Sequence, residues 1–117
     1  MIDGDTPLPS RCLVFADVAG STRLYERLGD KAALRVVDLC LKLAAAASTA
    51  YQGEVVKTIG DEIMVAFPSA EQGLLAACDM QQRIAAVRPI AGQPLAIRVG
   101  CQWGPVVAED GDYFGDT

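Results

Sequence analysis

Asp17 and Asp61 each stand where an apolar run gives way to a turn. Asp17 follows residues 11–16 (RCLVFA) and precedes the small-residue segment Val18-Ala19-Gly20-Ser21-Thr22. Asp61 sits at the Gly60-Asp61 tip between two short β-branched runs, EVVKTI and EIMVAF, and a Gly-Asp pair so placed is a hairpin signal. Carboxylates held together repel one another unless something positive lies between them. A divalent cation meets that need, and an all-oxygen donor set without imidazole or thiolate favours Mg²⁺ or Mn²⁺. The Gly20-Ser21-Thr22 amides, at a helix start beside such a cation, would cradle phosphate oxygens, which together describes a nucleoside triphosphate site. Each signal has a plainer alternative: a Gly-Asp turn is often only a turn, and an Asp before a helix is often a cap. Lys57 breaks the apolar pattern of its strand and by alternation shares a face with Val55 and Ile59. At a sheet edge, such a lysine also guards against stray strand pairing.

Composition narrows the chemistry. The 117 residues include no histidine, which excludes a Ser-His-Asp or Cys-His site, an imidazole base and His-ligated zinc. The net charge of -5, without a cluster of lysine or arginine, argues against a nucleic-acid backbone or an anionic membrane as partner. An acidic chain that handles phosphates needs a metal ion between them. The longest apolar stretch, 32–51, is interrupted by Arg35, Asp38 and Lys42 on one helical face, so it reads as an amphipathic helix and not a membrane span. No basic-plus-apolar leader opens the chain, which points to the cytoplasm. The four cysteines, Cys12, Cys40, Cys78 and Cys101, lie inside apolar segments without a C-x-x-C pair, and buried reduced thiols are expected.

A chain of this length forms one domain and buries about two-thirds of its unfolded surface. Residues 1–10 read as a flexible lead-in and 11–117 as the folded part. After the first strand, Ser21 or Thr22 is expected to cap a helix from about Arg23. Gly29 ends that helix, and Asp30 caps the next, whose apolar side carries Leu34, Val37, Cys40, Leu41 and Ala44. Gly53 closes it and the hairpin follows. Ser69 and Gln72 form a capping box after Pro68, opening a helix to about Val87. Residues 95–102 and 106–108 read as a second hairpin around Gly104-Pro105. This order suits an α+β, ferredoxin-like antiparallel sheet with helices on one face. In that topology the first strand lies antiparallel to the second strand of the first hairpin, which makes Asp17 and Asp61 neighbours.

Phe15-Ala16-Asp17-Val18-Ala19-Gly20-Ser21-Thr22, Val56-Lys57-Thr58-Ile59-Gly60-Asp61-Glu62, Arg98-Val99-Gly100, Gly104-Pro105-Val106-Val107 and Asp112-Tyr113-Phe114-Gly115-Asp116-Thr117 occur in the order of one known family. From Arg11 onward the chain resembles the class III adenylyl/guanylyl cyclase catalytic domain. The resemblance implies that Asp17 and Asp61 bind two Mg²⁺ or Mn²⁺ ions, with the Val18 carbonyl as an added ligand. It implies that the Val18, Ala19, Gly20, Ser21 and Thr22 backbone holds the triphosphate. It further implies a head-to-tail homodimer in which Lys57 and Asp112 serve the nucleotide whose metals the other chain holds. A lysine donating to ring N1 and a carboxylate accepting from a 6-amino group suit adenine, so ATP is the expected substrate and cyclic AMP the product.

The family pattern continues past Gly-Asp-Thr to an Asn and an Arg that act on the ribose and the phosphorus, and later to a lysine. On that pattern the 117 residues are expected to be a truncated catalytic domain with little turnover, since losing one charge-stabilising group costs about a hundredfold. Gln102 and Trp103 receive no role beyond packing. Three other readings compete with this one. A non-catalytic nucleotide-binding or dimerisation module would bind ATP without forming product. A GGDEF-type diguanylate cyclase shares the fold and places Ile59-Gly60-Asp61-Glu62-Ile63 in the equivalent hairpin, but its first glycine and its phenylalanine are missing here. A haloacid-dehalogenase phosphatase would need an acid where Ala19 stands.

Overall fold

The computed structural model describes residues 10–90, 92–109 and 112–115. The elements run β1 (Ser10–Val18), α1 (Ser21–Leu28), α2 (Asp30–Ala50), β2 (Glu54–Ile59), β3 (Glu62–Phe67), α3 (Ala70–Ala85), β4 (Ile97–Glu109) and β5 (Asp112–Gly115). The strands form one sheet in the order β2-β3-β1-β4-β5, every neighbouring pair antiparallel. This is the ferredoxin-like α+β arrangement that the element order predicts. Ser10 belongs to β1 and not to a lead-in; the rest of that segment lies outside the described residues.

Alternation along β1 sorts its side chains between two layers. Cys12, Val14, Ala16 and Val18 face α2 and α3 and join Ile63, Val65 and Phe67 of β3 in the main core. Leu13 points the other way, into a small cluster with Met64 and Ala66 on the helix-free face, flanked by Phe15 and Val56. Asp17 follows the same alternation onto the helix-free face, next to the end of the strand. Two glycines let the layers close. A Cβ on Gly73 of α3 would run into Cys12 Sγ, and one on Gly53 would lie 2.8 Å from the Val65 side chain and against the Phe67 ring.

Several local expectations are corrected. The cap of α1 is Gly20, in the left-handed conformation (φ 70), and the helix starts at Ser21, whose hydroxyl is engaged elsewhere. Gly29, not Asp30, caps α2, which ends at Ala50, before Gly53. Leu34 is 55% exposed because Ala33, Val36 and Val37 take the inward positions of that turn. The capping box on α3 is present: Ser69 Oγ accepts from the Gln72 amide at 3.1 Å and donates to Gln72 Oε1 at 3.0 Å. The helix ends at Ala85.

The second hairpin does not turn at Gly104-Pro105. There β4 runs straight through, with Gly104 opposite Arg11 and Pro105 opposite Ser10, and reverses only after Glu109, which pairs with Asp112. Because β1 supplies a partner as far as Ser10, the backbone stays extended, and the proline sits where that pairing begins. The thiols also divide. Cys12 and Cys40 are buried, whereas Cys78 and Cys101 are exposed. Burial pushes the Cys40 thiol pKa up. No helix among the described residues is long and apolar enough to cross a membrane.

Candidate active site

The β1–α1 connection and the β2–β3 turn are fastened to each other at one edge of the sheet. Register places Asp17 directly opposite Glu62, one residue from Asp61. The Val18 amide donates to the Asp61 carbonyl at 3.2 Å, and Ser21 Oγ donates to Asp61 Oδ2 at 2.8 Å. Asp61 is therefore held through its main chain and through its carboxylate. The positive φ of Gly60, 57, makes the tight reversal that aims it at α1.

The five residues of the expected phosphate segment do not act alike. The Val18 amide is used by Asp61, and the Ala19 amide donates to the Ala96 carbonyl at 2.9 Å. Neither is left to meet a phosphate. The amides from Gly20 through Ser21 and Thr22 open α1, where the first turn has no intrahelical acceptors and the helix dipole favours an anion. At Gly20 a side chain would be strained by the positive φ, and its Cβ would stand 3.6 Å from Gln93 Nε2.

Asp17 meets a partner that alternation alone did not reveal. Arg98 of β4 lies opposite it across the sheet and donates through Nε to Oδ1 at 3.3 Å and through Nη2 to Oδ2 at 3.2 Å. Glu62, Asp17 and Arg98 thus form a row across three strands on the helix-free face. Phe15, Val99 and Gly100 complete the walls of an open depression of about 270 Å³ around that row. A charged residue near the start of an otherwise apolar strand was the available signal for Arg98. Assigning it to Asp17 required the β1–β4 register.

Lys57 is half-buried on the edge strand β2. A register shift between Val55 and Lys57 breaks the alternation: Val55 lies opposite Val65, on the helix side, and Lys57 lies opposite Met64, on the helix-free side. Lys57 therefore shares its face with Ile59 but not with Val55. Asp112 opens β5 opposite Glu109. Parts of β5 also come within 8 Å of β2 (Cα–Cα), although the two flank opposite edges of the sheet. The β4–β5 hairpin thus brings the strand bearing Asp112 towards the strand bearing Lys57.

The donor set agrees with a hard divalent cation in one particular way. Asp17 and Asp61 offer carboxylate oxygens and Val18 a carbonyl, while no group of three or more His, Cys, Asp or Glu side chains among the described residues is arranged to hold an ion. Mg²⁺ is commonly bound by one or two carboxylates together with substrate phosphates, not by an all-protein cage. The residues present fit a cation that arrives with a nucleotide.

The model of one protein family, the adenylate and guanylate cyclase catalytic domain, matches residues 6–116. An adenylate cyclase from Glutamicibacter nicotianae is 28% identical over 116 residues, which is 98% of this chain and 28% of that protein. The crystal structure of an adenylate/guanylate cyclase/hydrolase from Silicibacter pomeroyi superposes with a TM-score of 0.76 at 31% identity, covering 92% of this chain and 63% of that one. The monomeric guanylyl cyclase domain of the RhoGC fusion protein from Blastocladiella emersonii shares the fold, with a TM-score of 0.82 at 23% identity over 94% of this chain and 70% of that one. The chain spans less than a third of the length of the first curated relatives it matches.

Proposed function

Because the chain belongs to the adenylate and guanylate cyclase catalytic-domain family, we propose that it is the part of an adenylate cyclase that binds metal and reads the base, acting on ATP to give 3′,5′-cyclic AMP and pyrophosphate. The observation that carries this reading is the fastening of Asp61 to the β1–α1 connection beside Asp17. It brings the Asp61 carboxylate to the N-terminus of α1, next to the end of the strand that carries Asp17, and a triphosphate with its cations would be held there. When bound, two Mg²⁺ or Mn²⁺ ions would activate the ribose 3′-hydroxyl for in-line attack and stabilise departing pyrophosphate.

The chain's own residues divide the remaining work. Asp17 and Asp61, with the Val18 carbonyl, hold the cations. Ser21 keeps the Asp61 carboxylate in one rotamer, and the amides from Gly20 onward take phosphate oxygens. Lys57 donates to adenine N1 and Asp112 accepts from the 6-amino group, across a head-to-tail homodimer. Guanine presents the opposite pattern and would leave both groups unpaired, a mismatch that costs a polar site heavily.

The test is product formation from ATP and GTP by the natural full-length polypeptide with Mn²⁺. Cyclic AMP should dominate, and Lys57→Glu combined with Asp112→Cys should shift the preference towards GTP. Equal cyclic GMP formation by the wild type would contradict the base assignment. A second reading, nucleotide binding without turnover, draws support from the ion pair that occupies both Asp17 oxygens. Metal-dependent ATP binding with no cyclic product would favour it.

A further inference from the structure

The two carboxylates are partnered differently. Asp61 meets a neutral hydroxyl, whereas Asp17 meets a guanidinium that spans both of its oxygens. A cation approaching Asp17 must take at least one of those oxygens. Arg98 and the cation, both positive, therefore compete for the same two oxygens, and they cannot share them at full strength. The Arg98 side chain is 73% exposed and that of Asp17 is 28% exposed, so the guanidinium can leave without breaking the packing of the sheet. Opposite Phe15 stands Gly100, where an added side chain would meet nothing within 4 Å. The depression next to Arg98 thus has room for the displaced fork.

We infer that Arg98 is a positioning residue that competes with the divalent cation for Asp17. In the metal-free chain it holds the carboxylate through both oxygens. Cation entry releases the fork into the depression, so that metal binding and guanidinium release are one exchange. The inference rests on reading Asp17 as a cation ligand and adds to it a built-in threshold for occupancy. An exposed ion pair is a weak competitor, so its removal should tighten cation binding by about two- to fivefold.

The exchange is tested by cation binding, without turnover. Mn²⁺ affinity, read from the free-ion spin-resonance signal with a non-hydrolysable ATP analogue present, is compared among wild type, Arg98→Gln, Arg98→Lys, Asp17→Asn and the Asp17→Asn/Arg98→Gln double variant. Arg98→Gln should bind a few-fold tighter. Arg98→Lys, which keeps the charge but loses the fork, should fall between Arg98→Gln and wild type. The effect of Arg98→Gln should vanish in the Asp17→Asn background. In labelled wild-type protein the Arg98 Nε–H resonance, assigned by its loss in Arg98→Gln, should move towards the free-arginine position as Mg²⁺ is added with the analogue.

Unchanged or weaker binding in Arg98→Gln would overturn the inference while leaving Asp17 a ligand. The same holds if Arg98→Lys matches wild type, which would make the effect one of charge alone, or if the Nε–H resonance stays fixed through saturation. Equal Mn²⁺ affinity in wild type and Asp17→Asn would overturn the metal reading and the inference together.

Discussion

Ser21 shows how much a single hydroxyl contributes at this edge. Its bond to Asp61 is charge-assisted and part-buried, and it joins the first residue of a helix to the tip of a hairpin. Hydrogen bonds to charged groups contribute about 1.5–3 kcal/mol, and partial exposure lowers that. Ser21→Ala should therefore reduce kcat/KM for cyclic AMP formation about tenfold, with Ser21→Thr recovering part of it; an unchanged kcat/KM in Ser21→Ala would remove the hydroxyl from the site. Thiol chemistry is also set residue by residue. Burial raises the Cys40 pKa, so less thiolate is present at any given pH, and the side chain is closed to reagents. Alkylation near neutral pH, followed by mass spectrometry, should label the exposed Cys78 first and leave Cys40 intact until the fold is lost. Equal labelling rates for the two would contradict the packing of α2 against the sheet.

Between elements, the contact of α3 with β1 is close enough to depend on one hydrogen atom. Gly73→Ala would force α3 away from Cys12, and overpacking of this kind costs about 1–3 kcal/mol. Ser69→Ala removes the hydroxyl that caps α3 and should cost about 1 kcal/mol. Thermal unfolding would read both, and an unshifted midpoint in Gly73→Ala would show that the layers are looser than described. These two features differ in how far they could be read from sequence. The capping box is local, Ser69 to Gln72, and stood plainly in the chain. The close approach at Gly73 depends on which residue of β1 lies beneath it. The same division runs through the site. Asp17 and Asp61 follow from two turns and the strand order. The Asp17–Arg98 pair spans 81 positions and needs the register of two strands. The shift between Val55 and Lys57 left no mark in the residues 54–59, which carry no glycine or proline to signal a bulge, and Gly104-Pro105 imitates a turn inside a strand that β1 holds extended.

At the scale of the whole molecule the proposed site draws on two separate parts of the fold. Asp17 and Asp61 lie where the central strands β1 and β3 end and begin, and Lys57 and Asp112 lie on β2 and β5, the two outermost strands. A head-to-tail pair of chains would set the carboxylates of one against the outer strands of the other. Mixing Asp17→Asn chains with Lys57→Glu chains, each weak alone, should then restore turnover, because one of the two sites in the mixed dimer carries neither change. Absence of any recovery in a mixture shown to exchange subunits would place all four residues in a site within one chain. Everything in this arrangement depends on Asp17 and Asp61 acting together on a metal-bound nucleotide. The most direct measurement is cyclic AMP formation from ATP and Mn²⁺ by the natural full-length polypeptide beside its Asp17→Asn and Asp61→Asn variants, each first shown to unfold at the wild-type temperature. The account predicts product from the wild type and a loss of at least about a hundredfold in both variants. Retained turnover in either variant would contradict it.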